Sequence, residues 1–203
     1  MTDAMPASTP AQGPAPGQVL PPGRTTGRYS VGMVCSGNIC RSPTAQVVLG
    51  ARLEEAGLDD RVTVVSCGIG DWHVGDPMDH RSAATLANAG YDPSRHRAQQ
   101  LDETWSTDYD LLLAMDAGHR RDLLAAGLPA GRTLMFRAFD PTDPGGDVPD
   151  PYYGGQHGFE EVLAMVERTT ASLVTALERL ISGPKLPGPK LPGPNLPGEP
   201  GGR

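Results

Sequence analysis

Val34-Cys35-Ser36-Gly37-Asn38-Ile39-Cys40-Arg41-Ser42-Pro43 is the stretch on which the reading of this chain turns. It ends a short, apolar, valine-containing run from Tyr29 to Cys35, which predicts a buried strand bounded by a Gly/Asn cluster. Pro43 suits a first helical position, and Val47, Val48, Ala51, Leu53 and Leu58 follow at roughly helical spacing, with Gly57 as a stop. The stretch is therefore a loop that leaves a strand and opens a helix.

Further along, Arg61–Cys67 is β-branched and predicts a second strand. Asp79–Ala89 reads as a helix closed by Gly90. Tyr109–Met115 reads as a third strand, Ala117–Ala126 as a helix stopped at Gly127, and Thr133–Phe136 as a short fourth strand. After a long Pro/Gly/Asp-rich loop, Phe159–Ile181 carries an apolar face of Val162, Met165, Val166, Thr169, Leu173, Leu177 and Leu180. Strands that alternate with helices imply an α/β fold: a doubly wound parallel sheet with helices on both faces and right-handed crossovers. Ligands of such sheets bind beyond the carboxyl ends of the strands, at a switch point. The loop that begins at Cys35 is the prime candidate.

The ends differ from the middle. Residues 1–27 and 183–203 together hold 13 of the 21 prolines and lack periodic apolar residues, so both are read as disordered Pro/Gly-rich tails. The second repeats a five-residue unit, Gly183-Pro-Lys-Leu-Pro, Gly188-Pro-Lys-Leu-Pro and Gly193-Pro-Asn-Leu-Pro, which suits an extended polyproline-like segment. One domain remains, residues 28–182, long enough for a proper core. It carries −9 of formal charge against −7 for the whole chain, which argues against a nucleic-acid partner. An anion would have to be held by a local device. Three cysteines are too few for a disulfide framework, no segment resembles a signal peptide, and the run Leu111–Met115 is too short to cross a bilayer. The expectation is a cytoplasmic protein with no membrane partner.

The loop favours anion binding in four ways. It runs into a helix N-terminus, where free N–H groups and the dipole attract negative charge. Gly37 and Asn38 tolerate the positive φ that aims successive N–H groups inward. Arg41 adds a planar fork for two oxygens. Cys35 sits at the centre of this positive field, which favours the thiolate, the attacking form of cysteine. The bare Cys-to-Arg spacing is a weak signal in a chain with three Cys and 15 Arg; its position between strand and helix is what strengthens it. No Gly-Lys-Ser/Thr loop is present, and the cysteines and five histidines show no paired metal-ligand spacing, so neither a metal nor another cofactor is expected.

Cleaving a phosphate ester by thiolate attack also asks for a proton donor. The long loop offers Asp140, Asp143, Asp147 and Asp150, and composition does not choose among them. Trp72, Tyr152 and Tyr153 lie in loops without a face to bury, which suits walls around an aromatic ring. His73, His80, His119 and His157 read most simply as surface residues.

Val34–Ala45 resembles the nucleophile loop of the low-molecular-weight protein tyrosine phosphatases. Asp150-Pro-Tyr-Tyr-Gly154 resembles the family's general-acid loop, and Gly70-Asp-Trp72-His-Val-Gly75 after Ser66 is a third match. The likeness covers about Arg28 to Ile181 and is nearest to bacterial, actinobacterial-type members. It implies a four-stranded sheet of flavodoxin-like order 2-1-3-4. It also implies hydrolysis of phosphotyrosine through a phosphocysteine, with Cys35 as nucleophile, Arg41 on the phosphate and Asp150 as acid. Ser36, Gly37, Asn38, Ile39, Cys40 and Ser42 would line the phosphate site, with Trp72, Tyr152 and Tyr153 around the ring. Asn38, Ser42, Ser66 and His96 would support the loop, and Cys40 could shield Cys35 from irreversible oxidation by pairing with it. Cys67 receives no role. The partners implied are tyrosine-phosphorylated proteins, with inorganic phosphate or oxyanion inhibitors in the loop, and the chain is expected to be a monomer. The same fold also serves arsenate reductases, which need further redox cysteines, and phosphoarginine phosphatases, whose loop tends to carry Thr where Ile39 stands. A non-catalytic phosphopeptide binder is a reading from another class, disfavoured by the presence of Cys35, Arg41, Ser42 and Asp150 together.

Overall fold

The computed structural model describes residues 19–182. Strand β1 (Tyr29–Cys35) is central, between β2 (Val62–Gly68) and β3 (Leu111–Ala114), and β4 (Thr133–Met135) adds to β3. All pairings are parallel and the order is β2-β1-β3-β4, as the resemblance implied. Helices α1 (Arg41–Glu55), α2 (His80–Asn88), α3 (Trp105–Asp108), α4 (Ala117–Ala125) and α5 (Gln156–Ser182) complete the domain.

Strand alternation sorts the core into two layers. Tyr29, Val31, Met33 and Cys35 of β1 face one cluster with Leu111, Leu113 and Met115, covered by Leu49 and Leu53 of α1 and Val166, Leu173 and Leu177 of α5. Val34, Cys67, Leu112 and Ala114 face the other, with Trp105 of α3 and Leu123 of α4. Gly32 makes room on that second face, because a Cβ there would lie 2.8 Å from the Trp105 ring and 2.7 Å from Leu112. The β1→α1→β2 connection leaves to one side of β1 and β3 lies on the other, so the switch point falls at the carboxyl end of β1, at Cys35.

Several expected boundaries move. The third strand is shorter than Tyr109–Met115, because the Asp110 side chain turns back to accept hydrogen bonds from the Ser30 and Arg24 backbone N–H groups. Phe136 opens a 3₁₀ turn (Phe136–Phe139) instead of ending the fourth strand. The last helix begins at Gln156 and not at Phe159. Helix α3, with its buried Trp105, had no counterpart in the sequence reading.

Of the expected tail 1–27, residues 19–27 are described; most are exposed, and several of them contact the domain. Leu20 is buried, the Pro21 carbonyl accepts from Tyr29 Oη, and Arg24 donates to the Tyr109 and Ser106 carbonyls. The rest of both proposed tails, 1–18 and 183–203, lies outside the described residues.

Candidate active site

Residues 36–40 form the loop between β1 and α1. Asn38 stands at φ 57°, the one non-glycine in the left-handed region among the described residues. Asn tolerates that conformation better than other residues, and here its side chain repays the strain with hydrogen bonds. Its Nδ2 donates to Ser42 Oγ (2.9 Å) and Ser66 Oγ (2.7 Å), and its Oδ1 accepts from the Gln99 N–H (2.9 Å). Its carbonyl contacts His96 Nε2 at 2.8 Å, and Ser66 Oγ donates on to Gln46 Oε1. Burial lowers the His96 pKa. All four support residues named from sequence (Asn38, Ser42, Ser66 and His96) therefore join one network behind the loop. Gln46 and Gln99 are additions to it.

The end of β2 packs tightly under the loop. A Cβ on Gly68 would lie 2.8 Å from the Ser36 carbonyl oxygen and 3.0 Å from the Gly37 carbonyl carbon, backbone atoms that cannot yield cheaply. Helix α1 starts without a side-chain cap and without acidic residues in its first turn, so its N-terminal field stays available to an anion.

Cys35 Sγ lies 3.0 Å from Ser42 Oγ. That hydroxyl also reaches the Cys67 carbonyl at 3.2 Å, so its single proton has two acceptors. Cys40 lines the same cavity, and burial pushes its thiol up to about 12, which keeps it protonated at neutral pH. Cys67 is fully buried and its thiol is likewise pushed up by burial.

Arg41 is buried and forks between two carboxylates. Nη1 meets Asp116 Oδ2 at 2.8 Å, and Nη2 meets Asp150 Oδ2 at 2.9 Å and Ser36 Oγ at 3.2 Å. Asp116 caps α4 through the His119 N–H. Burial alone would raise its carboxyl, but that N–H and the charges of His119 and Arg41 outweigh burial and hold it below the usual carboxylate range.

The four loop aspartates take four separate places. Asp140 is buried and held by Arg137, Arg168 and Thr142, which depress its carboxyl strongly against the effect of burial. Asp143 pairs with Arg137, and Asp147 accepts from the Ala117 N–H. Among these four, Asp150 alone lines the cavity of Cys35.

That cavity measures about 370 Å³. Its lining unites the residues expected to bind substrate (Cys35, Ser36, Gly37, Ile39, Cys40, Arg41, Trp72, Asp150, Tyr152 and Tyr153) and adds His73. Asn38 and Ser42 lie behind the loop, outside the lining. Trp72 is 71% exposed and Tyr153 is 91% exposed, as befits rim residues. Two histidines depart from the surface reading. His73 contributes to the cavity wall, and His119 is buried against Ser36 and Asp116. His80 and His157 are exposed as expected.

A buried thiol and a guanidinium lining one cavity, with a carboxylate in contact with the guanidinium, can carry out displacement at phosphorus with proton transfer to the leaving group. Among the described residues, no three His, Cys, Asp or Glu come together as a metal site, and no helix is long and apolar enough to cross a membrane.

Comparison with known proteins agrees with this chemistry. The family profile described as "Low molecular weight phosphotyrosine protein phosphatase" matches residues 30–182. A low molecular weight protein-tyrosine-phosphatase of Streptomyces coelicolor is 45% identical over 160 residues, 76% of this chain and 97% of that protein. Low molecular weight protein-tyrosine phosphatase A of Mycobacterium tuberculosis is 46% identical over 145 residues, 70% of this chain and 88% of the relative. In three dimensions the chain is similar to the crystal structure of YfkJ from Bacillus subtilis, with TM-score 0.70 and 32% identity over 77% of this chain and 98% of the other.

Proposed function

The chain belongs to the low molecular weight phosphotyrosine protein phosphatase family, and from that premise we propose that it hydrolyses phosphotyrosine in proteins through a phosphocysteine on Cys35. The observation that carries the reading is the meeting of Cys35, Arg41 and Asp150 in one cavity, with Arg41 and Asp150 in contact across 109 positions of sequence.

In the first step the Cys35 thiolate attacks phosphorus and the bond to the phenolic oxygen breaks. Asp150, protonated, gives its proton to that oxygen, so tyrosine leaves neutral. In the second step water attacks the phosphocysteine, Asp150 takes a proton from it, and the thiolate is released with inorganic phosphate. Ser42 turns its hydroxyl proton from the Cys67 carbonyl to the leaving sulfur. Arg41 and the loop N–H groups hold the phosphoryl oxygens throughout. Substrate arrival exchanges the Arg41–Asp150 contact for an Arg41–phosphate one, which frees Asp150 to face the leaving oxygen. Trp72, Tyr152 and Tyr153 form a rim suited to a phenyl ring, and Ile39 gives the cavity an apolar wall. Arsenate reduction is less well supported, because the one cysteine outside the loop, Cys67, is sealed in β2.

The test is vanadate-sensitive hydrolysis of an aryl phosphate by the native protein and by Cys35→Ser. Turnover is expected to vanish in the variant; activity that survives would overturn the reading.

A further inference from the structure

Arg41 and Ser36, which line the cavity, close a ring with Asp116 and His119, and of the four the mechanism above uses only Arg41. Arg41 Nη2 meets Ser36 Oγ at 3.2 Å and Nη1 meets Asp116 Oδ2 at 2.8 Å. His119 then joins the other two, with Nε2 at 2.9 Å from Ser36 Oγ and Nδ1 at 3.0 Å from Asp116 Oδ2. The Nδ1 contact lies off the hydrogen-bonding direction, so it is one of proximity and charge.

Proton counting limits the states open to this ring. A guanidinium only donates, so Ser36 Oγ must accept from Arg41. Ser36's own proton is then available for Nε2, which accepts it when the imidazole is neutral and carries its hydrogen on Nδ1, toward Asp116. If His119 gains a proton, Nε2 becomes a donor. Ser36 Oγ then accepts twice, and its hydroxyl hydrogen has to turn away, toward the cavity that Ser36 lines. The imidazolium also competes with Arg41 for Asp116.

We propose that His119 is a positioning residue that sets the charge of the oxyanion site: neutral, it occupies the Ser36 hydroxyl, and protonated, it releases that hydroxyl to a bound anion and adds a cation beside Arg41. The proposal rests on the reading of the loop as an oxyanion site. Burial of His119 lowers its pKa from 6.5, with Asp116, Asp122 and Asp150 pulling the other way and Arg41 reinforcing burial, so the switch operates on the acid side of neutrality. Linkage makes the coupling reciprocal: if protonation tightens anion binding, anion binding must raise the pH at which His119 titrates.

The experiment titrates the imidazole C–H resonances of the full-length native protein by NMR, with and without sulfate, an oxyanion that does not change charge in this range. The His119 signal is identified by its loss in His119→Gln and, independently, in His119→Asn. Sulfate is expected to move the His119 midpoint up by about 0.5–1 pH unit, and sulfate affinity is expected to rise about 3–10-fold from pH 7.5 to pH 5 in the native protein but less than about 2-fold in either variant. A midpoint indifferent to sulfate, or equal pH dependence in native and variant proteins, overturns the proposal. A native protein that hydrolyses aryl phosphate while its His119 stays indifferent defeats this inference alone. One that neither binds sulfate nor hydrolyses defeats the phosphatase reading with it.

Discussion

The phosphate loop and the acid loop meet over one cavity but are built to different standards. In the first, Asn38 and Ser42 are wholly buried, Arg41 nearly so, and the side-chain polar atoms and carbonyl of Asn38 all have partners. The second is buried at its base and exposed at its tip. Asp140 is clamped by Arg137 and Arg168, and the Val148 N–H is pinned to the Met115 carbonyl at 2.7 Å. Its tip carries Asp150, 40% exposed at the side chain, and Tyr153, 91% exposed. A cradle for a group of fixed shape gains from being finished before the ligand arrives. A wall around one residue of a protein substrate gains from a tip free to meet different surroundings. If this contrast is right, damage to the tip should separate catalysis from anion binding, and damage to the loop should not.

The largest separation is expected at Asp150. Asp150→Asn should lower kcat on aryl phosphates by about 10²–10⁴-fold, the usual worth of a positioned general acid. The loss should shrink for leaving groups acidic enough to depart unassisted. Phosphate affinity should hold or improve, because the substitution takes a negative charge from a point 2.9 Å from Arg41. Steady-state kinetics together with calorimetric titration of phosphate would check both halves. Unchanged kcat would remove Asp150 from its role, and weakened phosphate binding would erase the contrast between the loops.

Asn38 is the opposite case. Asn38→Ala keeps a side chain in the left-handed region and strips partners from the Ser42 and Ser66 hydroxyls and the Gln99 N–H. Together these changes should destabilise the fold by about 2–5 kcal/mol and lower kcat/KM and phosphate affinity by about 10²-fold each. Asn38→Gly separates the two causes. It relieves the backbone but restores no hydrogen bond, so chemical denaturation should place it between native and Ala while its activity stays as low as that of Ala. A Gly variant with native affinity would mean that backbone freedom, not the network, makes the loop.

The same contrast explains which parts were legible in the sequence. The phosphate loop is contiguous, and its Gly, Asn and Arg each answer to a local need, so β1 and its exit could be read residue by residue. Asp116 and His119 could not. Asp116 reads as an ordinary helix cap, and it is one; that its other oxygen holds Arg41, 75 positions away, leaves no local mark. His119 lies on a short helix next to Arg120, Arg121 and Asp122, where a surface position is the natural reading, and only the approach of α4 to the loop buries it. Pro-rich composition hid residues 19–27 for a similar reason, since partners such as Tyr29 and Asp110 come from elsewhere in the chain. Among the four aspartates of the acid loop, the resemblance selected Asp150 where composition did not, and the fold ties the other three elsewhere, Asp140 and Asp143 to Arg137 and Asp147 to the Ala117 N–H.

The smallest effect is expected where the two regions touch. Arg81 grips Asp79 with two nitrogens, at 3.1 and 3.0 Å, and donates to the Tyr152 carbonyl at 3.0 Å. Its guanidinium carbon also lies 5.3 Å from the Tyr152 ring centre and 4.6 Å from that of Phe159. Asp79 in turn donates its N–H to the Ile39 carbonyl, so one clasp joins the acid-loop tip to the phosphate loop. Arg81→Met keeps the apolar stem over Phe159 but drops the charge and the carbonyl contact. A solvent-screened contact of this kind is weak, so KM for aryl phosphates should rise only about 3–10-fold, with kcat nearly unchanged and phosphate affinity within about 2-fold of native. Arg81→Lys should recover part of the carbonyl contact but not the planar stacking, and so fall between the two. If phosphate affinity falls in step with KM, strain at the tip reaches Ile39 through Asp79, and the two loops are one mechanical unit after all.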